Sequence, residues 1–328
     1  MSTRSKNIFI GLLVSIFLGF IVYELKKPHS TLPIITIANY GPHSSLEETI
    51  RGIKEGLEEK GFKENETISF KISHVNFDHS LIPQMISNMM AHNPKIMVAL
   101  STPIAQVLKN SQKNVPIVFS AITDPVESGL VRSADKSHEN VTGSSDQQDL
   151  ELFLIFAKDL LPNAKRVGIM RATADANDFA LVRLMEKAAQ KLGFKVVVVP
   201  VDQARDIPQR MQLFKDKVDF IYVGTSGPIQ PALPTIVAEA DRMNIPVFNA
   251  DSEAVYKNQV LGSFGVTYYQ VGRNAALLID QLLKGKNISD VPPLYPSPQD
   301  HHGFISKKRA EKLGITNLNS TINITVIE

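Results

Sequence analysis

The chain contains two similar halves, and this repeat limits its fold more than any other feature. Gly61-Phe62-Lys63 ends one predicted helix and Gly193-Phe194-Lys195 ends another, each followed by a predicted strand and helix. An apolar strand then leads into Ser101-Thr102-Pro103 in the first half and Thr225-Ser226-Gly227-Pro228 in the second. These segments recur in the same order at an offset of roughly 125 to 132 positions. Two copies are too few for a solenoid, so the repeat predicts two similar lobes.

Short β-branched runs alternate with amphipathic stretches in both halves. Ile34 to Ala38 is typical of a strand, and Leu46, Ile50, Ile53 and Leu57 follow at helical spacing. Strands that alternate with helices favour parallel sheets. The fold class predicted is α/β, with two doubly wound parallel-sheet lobes.

The charge balance argues against a nucleic-acid partner. The 328 residues carry a net charge of +2, but residues 1–27 hold Arg4, Lys6, Lys26 and Lys27 against Glu24. Without them the remaining 31 basic and 32 acidic residues give −1. The chain has no cysteine, which excludes disulfides, a thiolate nucleophile and a lipidated cysteine anchor.

The amino-terminal segment resembles a membrane anchor. Ile8 to Tyr23 carries no charge, and Arg4 and Lys6 precede it. The flank from Phe20 to Glu24 lacks the small residues of a signal-peptidase site, so residues 1–27 are predicted to be an uncleaved signal anchor. A cleaved signal and a buried core helix are the alternatives. The charge asymmetry predicts that residues from Pro28 onward face outward.

Small polar residues follow equivalent strands in the two halves. Because ligands of doubly wound sheets lie beyond the carboxyl ends of the strands, Ser101, Thr102, Thr225 and Ser226 are candidates for binding a carboxylate in a cleft between the lobes. Helix capping is the alternative role for each of them.

Several segments resemble those of ABC-transporter substrate-binding proteins of the tryptophan- and tyrosine-associated type. The resemblance runs from about Pro33 to Gly314. The segments that carry it are Ser101-Thr102-Pro103, Val115 to Val126, Gly129-Leu130-Val131, Asn140 to Gly143, Leu161 to Ile169, Val218-Asp219, Tyr222-Val223, Leu261 to Val266, Gly272-Arg273 and Leu283-Lys284-Gly285.

This resemblance implies a type I periplasmic-binding fold that closes on an amino-acid-like, possibly aromatic, ligand. Crossovers are expected near Thr142, Ser263 and Pro293, with residues 33–141 and 264–291 in the first lobe and residues 142–263 and roughly 292–328 in the second. The implied protein is a monomer of the bacterial cell envelope, held on the inner membrane with its binding domain in the periplasm. Its implied partners are permease subunits with a cytoplasmic ATPase, and it has neither cofactor nor enzymatic activity.

The candidate ligand-binding residues lie mostly at strand ends. Asp124 and Asp251 could hold an ammonium group, although Asp124 could instead form a turn with Pro125 and Asp251 could cap a helix. Tyr40 could stack on an aromatic ligand, although Asn39 to Pro42 is also an ordinary turn sequence. Arg171 stands where relatives often have Asn and could clamp a carboxylate, or be solvated on a loop. The full set is Asn39, Tyr40, Ser101, Thr102, Ser120, Thr123, Asp124, Arg171, Thr225, Ser226 and Asp251.

The sequence leaves two other classes of function open. A sensory binding module would share the fold but report occupancy to a membrane signalling partner, and an enzyme could use a similar scaffold. No Walker loop, G-x-G-x-x-G or G-x-S-x-G motif is present. The pairs His74 with His79 and His301 with His302 lack a third ligand, so no metal site is predicted.

Overall fold

The computed structural model describes residues 32–137, 139–224 and 227–328. The anchor predicted for residues 1–27 lies outside these ranges. Within them, no helix combines the length and the apolar character that a membrane crossing requires. Ile34–Glu328 forms one unit, which contains both predicted lobes.

The first sheet has five parallel strands in the order β2-β1-β3-β4-β5. All five residues of its central strand β3 are buried because helices cover both faces. The strands are β1 Ile34–Asn39, β2 Ser69–His74, β3 Ile96–Leu100, β4 Ile117–Ile122 and β5 Val141–Ser145. The helices that connect them are α1 Ser44–Glu59, α2 Ile82–Met90 and α3 Thr102–Ser111.

The second sheet has seven strands in the order β12-β11-β10-β9-β8-β6-β7, and only β10 and β11 pair antiparallel. The strands are β6 Arg166–Ala172, β7 Lys195–Val201, β8 Phe220–Val223, β9 Val247–Asn249, β10 Gly262–Gly265, β11 His302–Ser306 and β12 Ile324–Ile327. Its helices are α4 Leu150–Leu160, α5 Ala176–Leu192, α6 Ile207–Met211, α7 Leu233–Arg242, α8 Glu253–Tyr256 and α10 Lys307–Lys312. Helix α9, Tyr268–Leu283, lies between α8 and α10 in the chain.

The predicted repeat corresponds to two lobes with the same strand order. The order β2-β1-β3-β4-β5 of the first sheet is repeated as β7-β6-β8-β9-β10 in the second. Gly61 and Gly193, which mark the ends of α1 and α5, both have left-handed backbones, with φ of 89° and 74°. The prediction of a two-lobed α/β fold with parallel sheets is therefore confirmed.

The strands also show where the chain passes between the sheets. The crossover expected near Thr142 falls inside β5, which pairs with β4, so the chain leaves the first sheet only after Ser145. Phe264, assigned from sequence to the first lobe, lies in β10 of the second sheet. Near the third expected crossover, Leu294 bonds through its backbone to Gly143 and Ser145, alongside β5. Each crossing segment continues the backbone hydrogen bonding of a sheet, which displaces the crossings by a few residues.

Helix α9, Tyr268–Leu283, follows the second sheet in the chain but packs in the core of the first lobe. Its closest contact is with α1, and glycines allow it. A Cβ on Gly272 would lie 2.1 Å from the carbonyl oxygen of Thr49, and one on Gly52 would lie 2.1 Å from that of Tyr269. This contact fixes α1, whose amino end borders the cleft described next.

Candidate ligand-binding cleft

A cavity lies between the carboxyl ends of the two sheets. Its empty volume is about 520 Å³, solvent at the mouth included. Both lobes contribute to its wall. The lining residues are Tyr40, His43, Ser45, Leu46, Phe77, Ser101, Thr102, Pro103, Ala121, Asp146, Asp175, Asn177, Gly227, Gln230, Pro231 and Tyr268.

One part of the wall presents hydroxyl groups without hydrogen-bond partners. Ser101 and Thr102 stand at the amino end of α3, and the Oγ of Ser101 and the Oγ1 of Thr102 are buried and unpaired. Ser101 has a φ of 75° and Ala121, also in the wall, has a φ of 56°. Such conformations are costly for residues other than glycine and concentrate at functional sites. Free hydroxyls at a helix amino end suit an anionic group such as a carboxylate.

A buried carboxylate occupies another part of the wall. Asp146 is only 1% exposed, and it accepts hydrogen bonds from Thr123 Oγ1 and the Tyr268 hydroxyl, both at 3.1 Å. Burial raises the pKa of Asp146 to about 6, against the lowering effect of these hydrogen bonds. The lining contains no lysine or arginine. A ligand ammonium group would supply the missing positive charge.

The second lobe contributes a further acid and an amide. Asp175 caps α5 by accepting the Asn177 N–H at 3.0 Å. Burial raises the pKa of Asp175, while backbone hydrogen bonds from Asn177 and Gly227 oppose the shift. The Oδ1 of Asn177 accepts the N–H of Thr123 at 3.3 Å, which joins the two lobes directly across the cleft.

An aromatic surface completes the cavity. Tyr40 and Phe77 pack edge to face with their ring centroids 5.6 Å apart. Gly227 of the second lobe lies against Tyr40, since a Cβ there would come within 2.8 Å of the ring. His43 accepts the N–H of Ser45 on Nδ1 at 3.3 Å, so its neutral ring carries the proton on Nε2. Burial lowers the pKa of His43 although Asp251 opposes the shift.

The structure brings three of the sequence candidates into the cavity wall: Tyr40, Ser101 and Thr102. Thr123 stands just behind the wall, where it bonds Asp146 and Asn177. Thr225 and Ser226 lie outside the described residues.

The other five candidates make contacts elsewhere. Asn39 accepts the Gly41 N–H at 3.2 Å, and Ser120 pairs with Ser144 at 3.1 Å. The guanidinium of Arg171 stacks over the Phe179 ring at 4.0 Å instead of entering the cavity. These three side chains act within their own lobes.

The two acidic candidates, Asp124 and Asp251, accept hydrogen bonds from groups of the protein itself instead of from a ligand ammonium group. Asp124 closes the turn that was its alternative role by accepting the N–H groups of Val126 and Glu127 at 3.1 and 2.9 Å. Asp251 accepts hydroxyls of the first lobe and, as its alternative role required, the N–H of Glu253 at the start of α8. Neither lines the cavity.

Sequence reasoning missed the two acids that do line the cavity, Asp146 and Asp175. Asp146 directly follows β5, so the rule that selected Ser101 and Thr102, a polar residue at the carboxyl end of a strand, would also have found it. Phe77 carried no such signal, because it reaches the cavity through a left-handed backbone with a φ of 63°. Across residues 32–137, 139–224 and 227–328, no group of three His, Asp or Glu side chains could hold a metal ion.

Proteins of known ligand resemble this chain over most of its length. The chain is 30% identical over 258 residues to the tyrosine-binding protein of Clostridioides difficile strain R20291, covering 79% of this chain and 74% of that relative. An ABC domain from Streptococcus pneumonia in complex with L-Trp superposes with a TM-score of 0.83 at 27% identity, over 90% of this chain and all of that one.

A third relative shows a different conformation. The ligand-free, open structure of a substrate-binding protein with adhesive properties from Clostridium difficile gives a TM-score of 0.69 at 28% identity, again over 90% of this chain and all of that one. At nearly equal identity, the present structure is therefore more similar to the liganded relative than to the open one. The hydrogen bonds between its lobes agree with a closed cleft.

The family assignment follows from the sequence as a whole. The family described as ABC transporter substrate binding protein matches residues 34–325, which include the first sheet, the second sheet up to the start of β12 and every residue that lines the cavity. This chain belongs to the ABC transporter substrate-binding protein family.

Proposed function

We propose that this protein is the extracytoplasmic receptor of an ABC importer and that it binds an aromatic amino acid, tryptophan or tyrosine, between its lobes. The observation that carries the proposal is the combination of three complementary groups in one closed cavity. These are the uncompensated carboxylate of Asp146, the free hydroxyls of Ser101 and Thr102, and the aromatic pair Tyr40 and Phe77.

Each group matches one part of an aromatic amino acid. Asp146 pairs with the ammonium group, and the hydroxyls at the amino end of α3 donate to the carboxylate. The rings of Tyr40 and Phe77 pack against the ligand ring. The relatives named for tyrosine binding and solved with L-Trp support this ligand class. The protein binds and releases its ligand without chemical change.

The ligand is tested by calorimetry on the full-length chain in detergent, with tryptophan, tyrosine, phenylalanine and leucine as titrants. Saturable binding of tryptophan or tyrosine at one site per chain is expected. Asp146→Asn should abolish this binding, whereas Asp135→Asn, at an exposed acid that does not line the cavity, should leave it unchanged. Failure of all four amino acids to bind would contradict the proposal.

The importer role and the anchor are tested in cells. Deletion of the gene should reduce uptake of the labelled ligand, and unchanged uptake would favour the sensory alternative. We also propose that residues 1–27 remain on the protein as the anchor. The intact mass of protein purified from membranes should then include these residues. A mass that matches a chain starting near Pro28 would show cleavage.

A further inference from the structure

The two lobes are also joined at a place outside the cavity wall. Asp251 follows β9 of the second sheet, and its Oδ2 accepts hydrogen bonds from Ser44 Oγ at 2.9 Å and Ser45 Oγ at 2.8 Å, at the amino end of α1. We infer that Asp251 is a closure latch: a positioning residue that contacts no ligand and raises the affinity for every ligand by the same factor. The inference rests on the proposed binding function.

All the observed contacts of Asp251 favour a latch over a ligand contact. Its second oxygen, Oδ1, accepts the N–H of Glu253 at 3.0 Å, so both carboxylate oxygens are already engaged. The residue is only 4% exposed and does not line the cavity. An ammonium group in the cavity would therefore have no access to this carboxylate.

Closure itself creates this arrangement. Ser44 and Ser45 belong to the first lobe and Asp251 to the second, so these hydrogen bonds exist only while the lobes touch. Hydrogen bonds to an ionised carboxylate are stronger than neutral ones, and burial shields them from competing water. Ser45 also lines the cavity, so the latch holds a part of the wall in place.

A second pair of contacts between the lobes provides a matched comparison. Arg183 of α5 bonds Asp124 and Glu127 of the first lobe, but its side chain is half exposed. Exposed ion pairs contribute little because water and salt screen them. The buried Asp251 contact should therefore contribute more to the closing equilibrium than these exposed ion pairs.

The energetic consequence does not depend on the ligand. Where a ligand binds the closed form, its apparent affinity scales with the equilibrium between open and closed forms. A residue that acts only on this equilibrium changes the affinity for tryptophan and for tyrosine by one common factor. A residue in the cavity wall would change their ratio.

The test measures both affinities by calorimetry on the full-length chain in detergent. Asp251→Ala should weaken tryptophan and tyrosine binding equally, by about tenfold or more. Arg183→Gln, the matched control, should change both by less than about threefold. Adding Ser44→Ala to Asp251→Ala should have less effect than Ser44→Ala alone, because their shared hydrogen bond is already lost.

A second measurement separates failure of the latch from failure of the proposed ligand. Because the chain has no cysteine, cysteines introduced at the exposed Lys63 and Lys217, one in each lobe, can carry a fluorophore pair. In single-molecule energy transfer without ligand, Asp251→Ala should lower the closed fraction. If neither amino acid binds the wild type, the proposed ligand class is wrong, and this measurement still decides the latch.

Three outcomes would overturn the latch: affinities unchanged by Asp251→Ala, a changed ratio of tryptophan to tyrosine affinity, or an unchanged closed fraction. If Asp251→Ala does not fold, Asp251→Asn replaces it, because its amide oxygen can still accept the Glu253 N–H. That variant should also weaken both ligands by one common factor, and equal affinity to wild type would overturn the latch in that case.

Discussion

Asp146 destabilises the folded protein and, in the proposed function, binds the ligand. Its buried carboxylate accepts hydrogen bonds from two hydroxyl groups, and the cavity lining offers it no lysine or arginine. Burial raises its pKa to about 6. The ionised form is therefore less stable in the folded protein than in water. A ligand ammonium group removes this cost, so the residue that destabilises the empty protein contributes directly to affinity.

Replacing Asp146 should thus make the protein more stable but inactive. A pKa of about 6 against an ordinary value of 3.8 corresponds to up to about 3 kcal/mol at neutral pH. Asp146→Asn keeps the shape without the charge, so the free energy of unfolding of the ligand-free protein should rise at pH 7.5 while binding is lost. Denaturant unfolding measures the first and calorimetry the second. A destabilised variant would contradict this account.

The same group predicts opposite effects of pH on stability and on affinity. Because the folded pKa is raised, the contribution of Asp146 to stability is complete below pH about 4 and is lost as the pH rises through about 6. Affinity should follow the ionised form and fall as the pH decreases below about 6. Calorimetry between pH 5 and pH 8 would show it, and Asp146→Asn should abolish this part of the dependence.

At this scale the sequence predicted the hydroxyl part of the site better than the acidic part. Ser101 and Thr102 follow a strand inside the repeat, so their position at the cleft could be predicted from the sequence. Asp124 and Asp251 follow equivalent strands too, but local N–H groups and serines of the first lobe take up their oxygens. Which of several acids lines the cavity depends on how the two lobes meet, and local sequence does not encode this.

The contact between α1 and α9 holds the amino end of α1 at the cleft. Glycine is required where the backbones meet, because a Cβ on Gly272 would lie 2.1 Å from the Thr49 carbonyl oxygen. Helix spacing predicted α1, and residues 264–291 were expected in the first lobe. The crossover positions were displaced because β5 and β10 continue the pairing of their sheets beyond Thr142 and Ser263.

Gly272→Ala should therefore destabilise the protein by about 1–3 kcal/mol, since the helices must move apart to accept the methyl group. Leu277→Ala on the exposed side of α9 is the control, with an expected change below about 1 kcal/mol. Denaturant unfolding compares the two variants. Equal stability of both would show that the close helix contact does not matter.

The whole molecule adopts a closed form in which the lobes hydrogen-bond across the cleft. The relative solved with L-Trp superposes better than the open, ligand-free relative at similar identity. The fold class and the lobes were predictable from the repeat. The degree of closure was not, because it depends on contacts between residues about two hundred positions apart.

Ligand binding should stabilise the folded chain by mass action. Tryptophan or tyrosine at about 100 times its dissociation constant should add about 2.7 kcal/mol to the free energy of unfolding. Thermal unfolding should shift upward with ligand concentration in the wild type and stay constant in Asp146→Asn. A constant midpoint in the wild type would mean that the amino acid does not bind the native state.

The return of α9 to the first lobe also has a consequence for biosynthesis. The strands of the first sheet leave the ribosome early, but α9, which completes their hydrophobic core, is made only after strands β6 to β10 of the second sheet. The first sheet therefore keeps apolar surface exposed while more than a hundred further residues are synthesised. During this interval it is a natural client for chaperones and the stage most prone to aggregation.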